Sequence, residues 1–350
     1  MFECEICHET FSSRNKLFQH IKTHSVVPNA IKDSTTLFKE EVRLIHEDEN
    51  CKVICKPQGI PTMGAKHGEN LYKHPILLIP DRFKLGGKYR KAVPAHRLDA
   101  ATGGLIICSK SRDDAVLINQ CFRRKLILKR YVSIIPGVLP LAKGMISSEI
   151  EGKAALTYFE VIEITNSHQY DKISLLYLWP ITGRKHQLRK QLKQLGHPII
   201  ADPRFSSSLD WPSDPAFHRL FLWAIEIQFP HLETLKAKYP QLILPSFSDE
   251  EEEEEACDED EGEKEETSPG DHHQIETEGK KAQIVDLPRW LEEKGLLSVF
   301  STVDFSIDLY YQYLLSRYGT VFAVETLTVK IPIPDYYQTF QTLEQQERRT

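Results

Sequence analysis

The chain has 350 residues, 41% of them hydrophobic, which is enough for a globular core, and no apolar run approaches the length a membrane span needs. Its net charge of −6 hides an asymmetry: residues 249–266 hold fourteen carboxylates and one lysine, a local −13 that leaves the rest of the chain at +7, a balance suited to a polyanionic partner. Seven cysteines and an acidic, cysteine-bearing N-terminus argue against a secreted disulfide framework and for a soluble chain in a reducing compartment, cytoplasmic or nuclear.

Residues 2–24 read F-x-C-x2-C-x3-F-x5-L-x2-H-x3-H, which sets Cys4, Cys7, His20 and His24 at the ligand spacing of a small ββα C2H2 zinc finger within residues 1–28. A structural Zn2+ ion takes four N/S ligands in a tetrahedron, and Phe11 and Leu17 supply a minimal core. Ser13, Lys16 and Gln19, the base-facing positions of DNA-reading fingers, carry no decisive readout, so the finger is expected to dock RNA or a protein partner. Residues 29–40 read as a linker.

From residue 42, V-R-L-I-H-E-D-E-N-C-K-V-I-C-K alternates apolar with polar around a polar turn at residues 47–50, predicting a hairpin. Cys51 and Cys55 in its second strand match no zinc spacing and read as core thiols. Lys56 opens a rigid K-P-Q-G turn, where it either meets a phosphate or stays solvated. Residues 61–92 are loop-rich and end in Arg82, Lys84, Lys88, Arg90 and Lys91, a phosphate-contacting edge or an ordinary solvated loop.

Residues 93–110 read V-P-A-H-R-L-D-A-A-T-G-G-L-I-I-C-S-K. The apolar run 105–108, bounded by Gly103 and Gly104, predicts a buried strand, and His96, Arg97 and Asp99 sit on the loop feeding it. Taken alone, Asp99 is either a carboxylate held ionised beside a cation, available as nucleophile or base, or a turn aspartate capping backbone N–H groups.

A helix is predicted over residues 112–125, followed by a basic strip ending in Tyr131, an aromatic able to stack on an unstacked base or simply to start a strand. Residues 156–164 and 173–179 alternate as strands. Thr182 is the expected N-cap of a helix ending at Gly196, with Pro198 enforcing the stop. Its apolar stripe is Leu188, Leu192 and Leu195, and Arg189 lies on an adjacent basic face, held at the core's edge or part of a solvated stripe. Residues 249–283 cannot bury enough surface to offset chain entropy and are expected to be disordered. Apolar character returns from residue 287, and 326–340 reads as a last strand with a proline-rich turn. Residues 232–325 are therefore an insertion into a domain that begins at 41–231, or else the start of an independent appended tail; residues 341–350 read as a tail.

Four stretches, in order, resemble the signatures of the RluA-type pseudouridine synthases: V-I-C-K-P-Q-G at 53–59, H-R-L-D-A-A-T-G-G-L at 96–105, L-K-R-Y-V-S-I at 128–134, and P-I-T-G-R-K-H-Q-L-R through G-H-P-I-I-A-D-P at 180–203. The resemblance implies an α+β catalytic domain with a mixed, mainly antiparallel sheet, joined here to the zinc finger and the acidic insertion. It implies an isomerase that turns uridine of tRNA or rRNA into pseudouridine with no cofactor for catalysis, in keeping with the lack of a Walker or dinucleotide fingerprint. Carried onto this chain, Asp99 is the catalytic carboxylate, attacking ribose or uracil. Arg189 pairs with it, Tyr131 packs on the base and assists proton transfer at C5, and Arg97 and Lys56 hold the extruded nucleotide. The chain departs from the pattern at Gly103, where Ser or Thr is common, and at Lys185, which replaces a common Thr. Two other classes stay open: a catalytically idle RNA-binding protein, and a zinc-finger adaptor recruiting a protein partner through the finger or the acidic insertion.

Overall fold

The computed structural model describes residues 2–3, 10–11, 41–64, 70–79, 88–207, 211–238, 281–286 and 326–347. Two compact units, Met1–Glu40 and Glu41–Thr350, divide the chain. In the first, β1 (Phe2–Glu3) and β2 (Thr10–Phe11) pair antiparallel with Phe2 opposite Phe11. Cys4, Cys7, His20 and His24 lie outside the described residues, as does nearly all of the expected disordered stretch 249–283.

The second unit is built on an eleven-stranded, mixed but mostly antiparallel sheet with few helices. The expected hairpin forms from β3 (Arg43–Glu47) and β4 (Cys51–Lys56), closed by Asp48, whose Oδ1 accepts from the N–H groups of Asn50 and Cys51 at 2.8 Å each. After β5 (Lys88–Pro94), the predicted buried strand is β6 (Gly103–Ser111). β4 and β6 are apolar over most of their length because both faces of the sheet are covered there. Helix α1 (Arg112–Arg123) starts at Ser111, whose hydroxyl accepts from the Asp114 N–H at 3.1 Å.

There follow β7 (Leu128–Pro136), β8 (Lys143–Ile150), β9 (Lys153–Ser167) and β10 (Asp171–Pro180), then helix α2 (Gln187–Gln194), β11 (Leu222–Pro230) and helix α3 (Leu232–Lys238). Strand order is β3, β4, β6, β11, β7, β10, β9, β8 and then β12 (Gln283–Val285), with β5 on β6 and β13 (Thr326–Lys330) on β11. β6 runs parallel to β11, and glycine permits the approach. A Cβ on Gly103 would lie 2.1 Å from the Trp223 ring, and one on Gly104, at φ +119°, 2.2 Å from the Ala224 carbonyl oxygen. Trp223 thus fills the space that a Ser or Thr at 103 would need.

Three expectations are corrected. Thr182 is not an N-cap: the helix begins five residues later, after His186 in the left-handed region at φ +54°, and the Thr182 hydroxyl instead accepts from Leu156 N at 2.8 Å and donates to Gln187 Oε1 at 2.7 Å. The expected tail at 341–350 is largely helix α4 (Asp335–Glu347), which buries Tyr336, Tyr337 and Phe340 against Phe221. The last residue of the expected disordered stretch 249–283, Gln283, opens β12, which pairs with β8.

Candidate active site

Asp99 sits on the loop between β5 and β6, and that loop is tied down from beneath. Lys56 has no exposed surface. Its ammonium donates to the carbonyls of Ile60 at 2.7 Å, Pro57 at 3.0 Å and Ala100 at 3.4 Å. Thr62 Oγ1 donates to Leu98 O at 2.9 Å and accepts from Leu98 N, and His96 Nε2 accepts from Ile107 N at 3.1 Å. The placement of Lys56 among substrate-holding residues is therefore corrected: it is neither solvated nor available to a phosphate, and it fixes the Asp99 loop against the K-P-Q-G turn.

Helix α2 delivers Arg189 to the same point. Its side chain is buried, and Nη1 donates to Asp99 Oδ2 at 2.8 Å while Nε and Nη2 donate to Asp202 Oδ2 and Oδ1 at 2.8 and 2.7 Å. Burial alone would push the guanidinium pKa down, but Asp202 and then Asp99 outweigh it and hold it above its usual value. Asp202 has no exposed surface, and its Oδ1 also accepts from the N–H groups of Arg204 and Phe205 at 2.9 and 3.0 Å. The Phe205 ring lies 5.0 Å from the guanidinium. Asp99 differs from Asp202 in keeping 32% of its side chain exposed, so only Asp99 faces outward.

Asp99 Oδ1, the oxygen Arg189 does not touch, lies 3.6 Å from His186 Nε2. Burial lowers the His186 pKa, the Asp99 charge works against that, and Arg189, Arg204 and Lys190 reinforce it. Tyr131 on β7 is buried, and its phenol pKa is pushed up first by burial and then by the Asp99 charge, so the hydroxyl keeps its proton beside the carboxylate. Arg97, two residues from Asp99, is exposed. The structure thus brings Asp99, Arg189 and Tyr131 to one place, leaves Arg97 exposed on the Asp99 loop and buries Lys56 under that loop.

The position of α2 is set by two buried glutamines. Gln191 donates to Ile146 O, Ser148 Oγ and Ala155 O at 3.1–3.2 Å and accepts from Thr157 Oγ1 at 2.7 Å. Gln187 donates to Thr157 Oγ1 at 2.9 Å and to Leu156 O at 3.0 Å. Their amides splice the helix carrying Arg189 onto β8 and β9. Sequence reasoning assigned no role to Asp202, His186, Gln187 or Gln191; the available signal was that Asp202 and His186 fall inside the motif-bearing stretch 180–203.

Among the described residues, His46, Asp48 and Cys51 bring three ligand-type atoms within 4.8 Å. Cys51 is fully buried and its thiol pKa is pushed up, first by burial and then by Asp48, while Asp48 is already committed to closing the hairpin. The group is a turn lock resting on a core thiol.

A family model described as RNA pseudouridylate synthase matches residues 50–194, a span that includes Asp99, Tyr131 and Arg189 and stops short of Asp202. The chain is 29% identical over 223 residues to "Ribosomal large subunit pseudouridine synthase C" of Buchnera aphidicola subsp. Schizaphis graminum, covering 58% of this chain and 68% of that protein. It is 34% identical over 179 residues to "Ribosomal large subunit pseudouridine synthase D" of Borreliella burgdorferi, covering 46% and 53%. A solved structure, "Human RNA Pseudouridylate Synthase Domain Containing 4", superposes with a TM-score of 0.43 at 25% identity, over 59% of this chain and 88% of that one.

Proposed function

We propose that this chain belongs to the RNA pseudouridylate synthase family and that Asp99 is the carboxylate with which it isomerises uridine in RNA to pseudouridine. The enzyme is an isomerase acting on RNA. The C1′–N1 bond breaks, a C1′–C5 bond forms, and the proton displaced from C5 is made up at N1, so neither oxidant nor external energy is consumed.

One observation carries the assignment of Asp99. The Arg189 guanidinium is locked by the buried Asp202 and offers its remaining donor to one oxygen of Asp99, whose other oxygen lies 3.6 Å from His186 Nε2 on a side chain that stays 32% exposed. A carboxylate so oriented needs no reorganisation to attack a ribose or pyrimidine carbon presented to it. Tyr131 forms a wall for the extruded uracil. Its protonated phenol favours packing over service as the C5 base, because it would first have to lose its own proton. Arg97 meets the nucleotide at the rim. The relatives' names favour ribosomal RNA over tRNA as the substrate class.

The reading is tested with the full chain by mapping pseudouridine across cellular RNA with and without the protein, beside Asp99→Asn. Wild type is expected to add pseudouridine at defined sites and Asp99→Asn to add none while binding RNA normally. Retained turnover in the variant removes Asp99 from the chemistry.

We also propose a structural Zn2+ ion on Cys4, Cys7, His20 and His24, supported by their spacing and by the short hairpin that pairs Phe2 with Phe11. The finger or the acidic insertion then serves a docking role toward RNA or protein. Among the described residues no helix is long and apolar enough to cross a membrane.

A further inference from the structure

With Lys56 engaged by carbonyls inside the protein, the cation that meets the RNA backbone beside Asp99 has to come from elsewhere. Side chains alternate along β7, so Lys129 stands on the same face as Tyr131, two residues and about 6.6 Å along the strand from it. Arg130 points to the opposite face, where it stacks on Tyr177 at 4.6 Å and pairs with Glu226. The Lys129 ammonium lies 5.5 Å from the centre of the Phe122 ring at the end of α1, and Phe122 packs on His96, three residues before Asp99. Lys125, in the left-handed region at φ +59°, turns the chain between α1 and β7 and brings a second cation close.

Among the described residues no carboxylate forms an ion pair with either lysine. His96 contributes no charge, because burial and then Lys129 depress its pKa to about 3. Burial, and after it Lys125, brings Lys129 itself down to about 8. Both lysines keep part of their surface open.

We propose that Lys129 and Lys125 seat one phosphodiester of the RNA strand whose uridine enters the Asp99 cleft. The seat rests on the synthase reading of that cleft. Tyr131 and Lys129 then receive the base and the backbone of the same short stretch of RNA, so a single strand of β7 positions both.

The test uses the full chain and a synthetic oligouridylate. Binding is measured across a potassium chloride series for wild type, Lys129→Gln and Lys129→Arg. Lys129→Gln is expected to bind several-fold more weakly at low salt, with the slope of log K against log salt reduced by about 0.7 for one phosphate of a single strand; Lys129→Arg is expected to keep the slope. In wild type, acylation of Lys129 at pH 8, followed by mass spectrometry, is expected to slow when oligouridylate is bound and to respond little to inorganic phosphate. An unchanged slope in Lys129→Gln overturns the proposal, as does undiminished acylation under RNA or equal protection by inorganic phosphate. Failure of the synthase reading would appear separately, as turnover surviving in Asp99→Asn.

Discussion

Asp202 grips Arg189 through both carboxylate oxygens, at 2.7 and 2.8 Å, from a position with no exposed surface, whereas Asp99 takes one donor of the same guanidinium. The two aspartates should therefore fail differently. Asp202→Ala leaves a buried guanidinium half-paired and is expected to cost about 3–5 kcal/mol of stability along with activity. Asp99→Asn is expected to cost less than about 1 kcal/mol, because its carboxylate is partly solvated, and to abolish turnover. Urea unfolding beside a pseudouridine assay separates the two, and equal destabilisation by both changes would contradict the division of labour.

Gln191 is expected to position Arg189 without touching substrate. Gln191→Leu fills similar space but strands the Thr157 hydroxyl and the carbonyls of Ile146 and Ala155, at a cost of about 1–3 kcal/mol. With α2 loosened, kcat is expected to fall while KM changes little, and Gln191→Glu, which keeps the acceptor to Thr157, should recover part of the rate. A rise in KM alone would place Gln191 in RNA binding instead.

The motif stretches made Asp99, Arg189 and Tyr131 legible as candidates, because loop, helix and strand each carried a local signal around them. What stayed hidden depended on contacts distant in sequence. Lys56 reads as a surface cation until the carbonyls of Ile60 and Ala100 close over it. Asp202, in I-I-A-D-P, reads as a turn former, and nothing local announces that Arg189, thirteen residues earlier, will fold back onto it. Thr182 has the composition of an N-cap, but the Leu156 N–H from β9 claims its hydroxyl first. Helix α4 runs from the expected proline-rich turn into the expected tail at 341–350, and its buried side, Tyr336, Tyr337 and Phe340, has meaning only against Phe221.

Gly103 and Trp223 are expected to be energetically coupled. Gly103→Ser drives a Cβ into a ring now 2.1 Å away, so the strands must part or Trp223 must move, at about 1–3 kcal/mol. In a Trp223→Leu background the same change should be much milder, giving a coupling energy of about 0.5–3 kcal/mol from the double-mutant cycle measured by denaturant unfolding. Strict additivity would mean that Gly103 is required for its backbone alone.

His96 gives the fold an acid limit. Its pKa is depressed to about 3 by burial and then by Lys129, against about 6.5 in an unfolded chain, so the unfolded state binds the extra proton throughout that window. Stability is unaffected by His96 above pH 6.5 and is lost as pH falls from there toward 3, at up to about 1.4 kcal/mol per pH unit. His96→Gln cannot take up that proton, while its side-chain oxygen can still accept from the Ile107 N–H that His96 Nε2 now holds at 3.1 Å. Unfolding free energies measured from pH 7 to pH 4 are expected to fall less steeply in the variant, by close to one proton's worth of slope. Parallel curves for the two proteins would mean that the imidazole titrates normally and that neither its burial nor the Lys129 charge is felt.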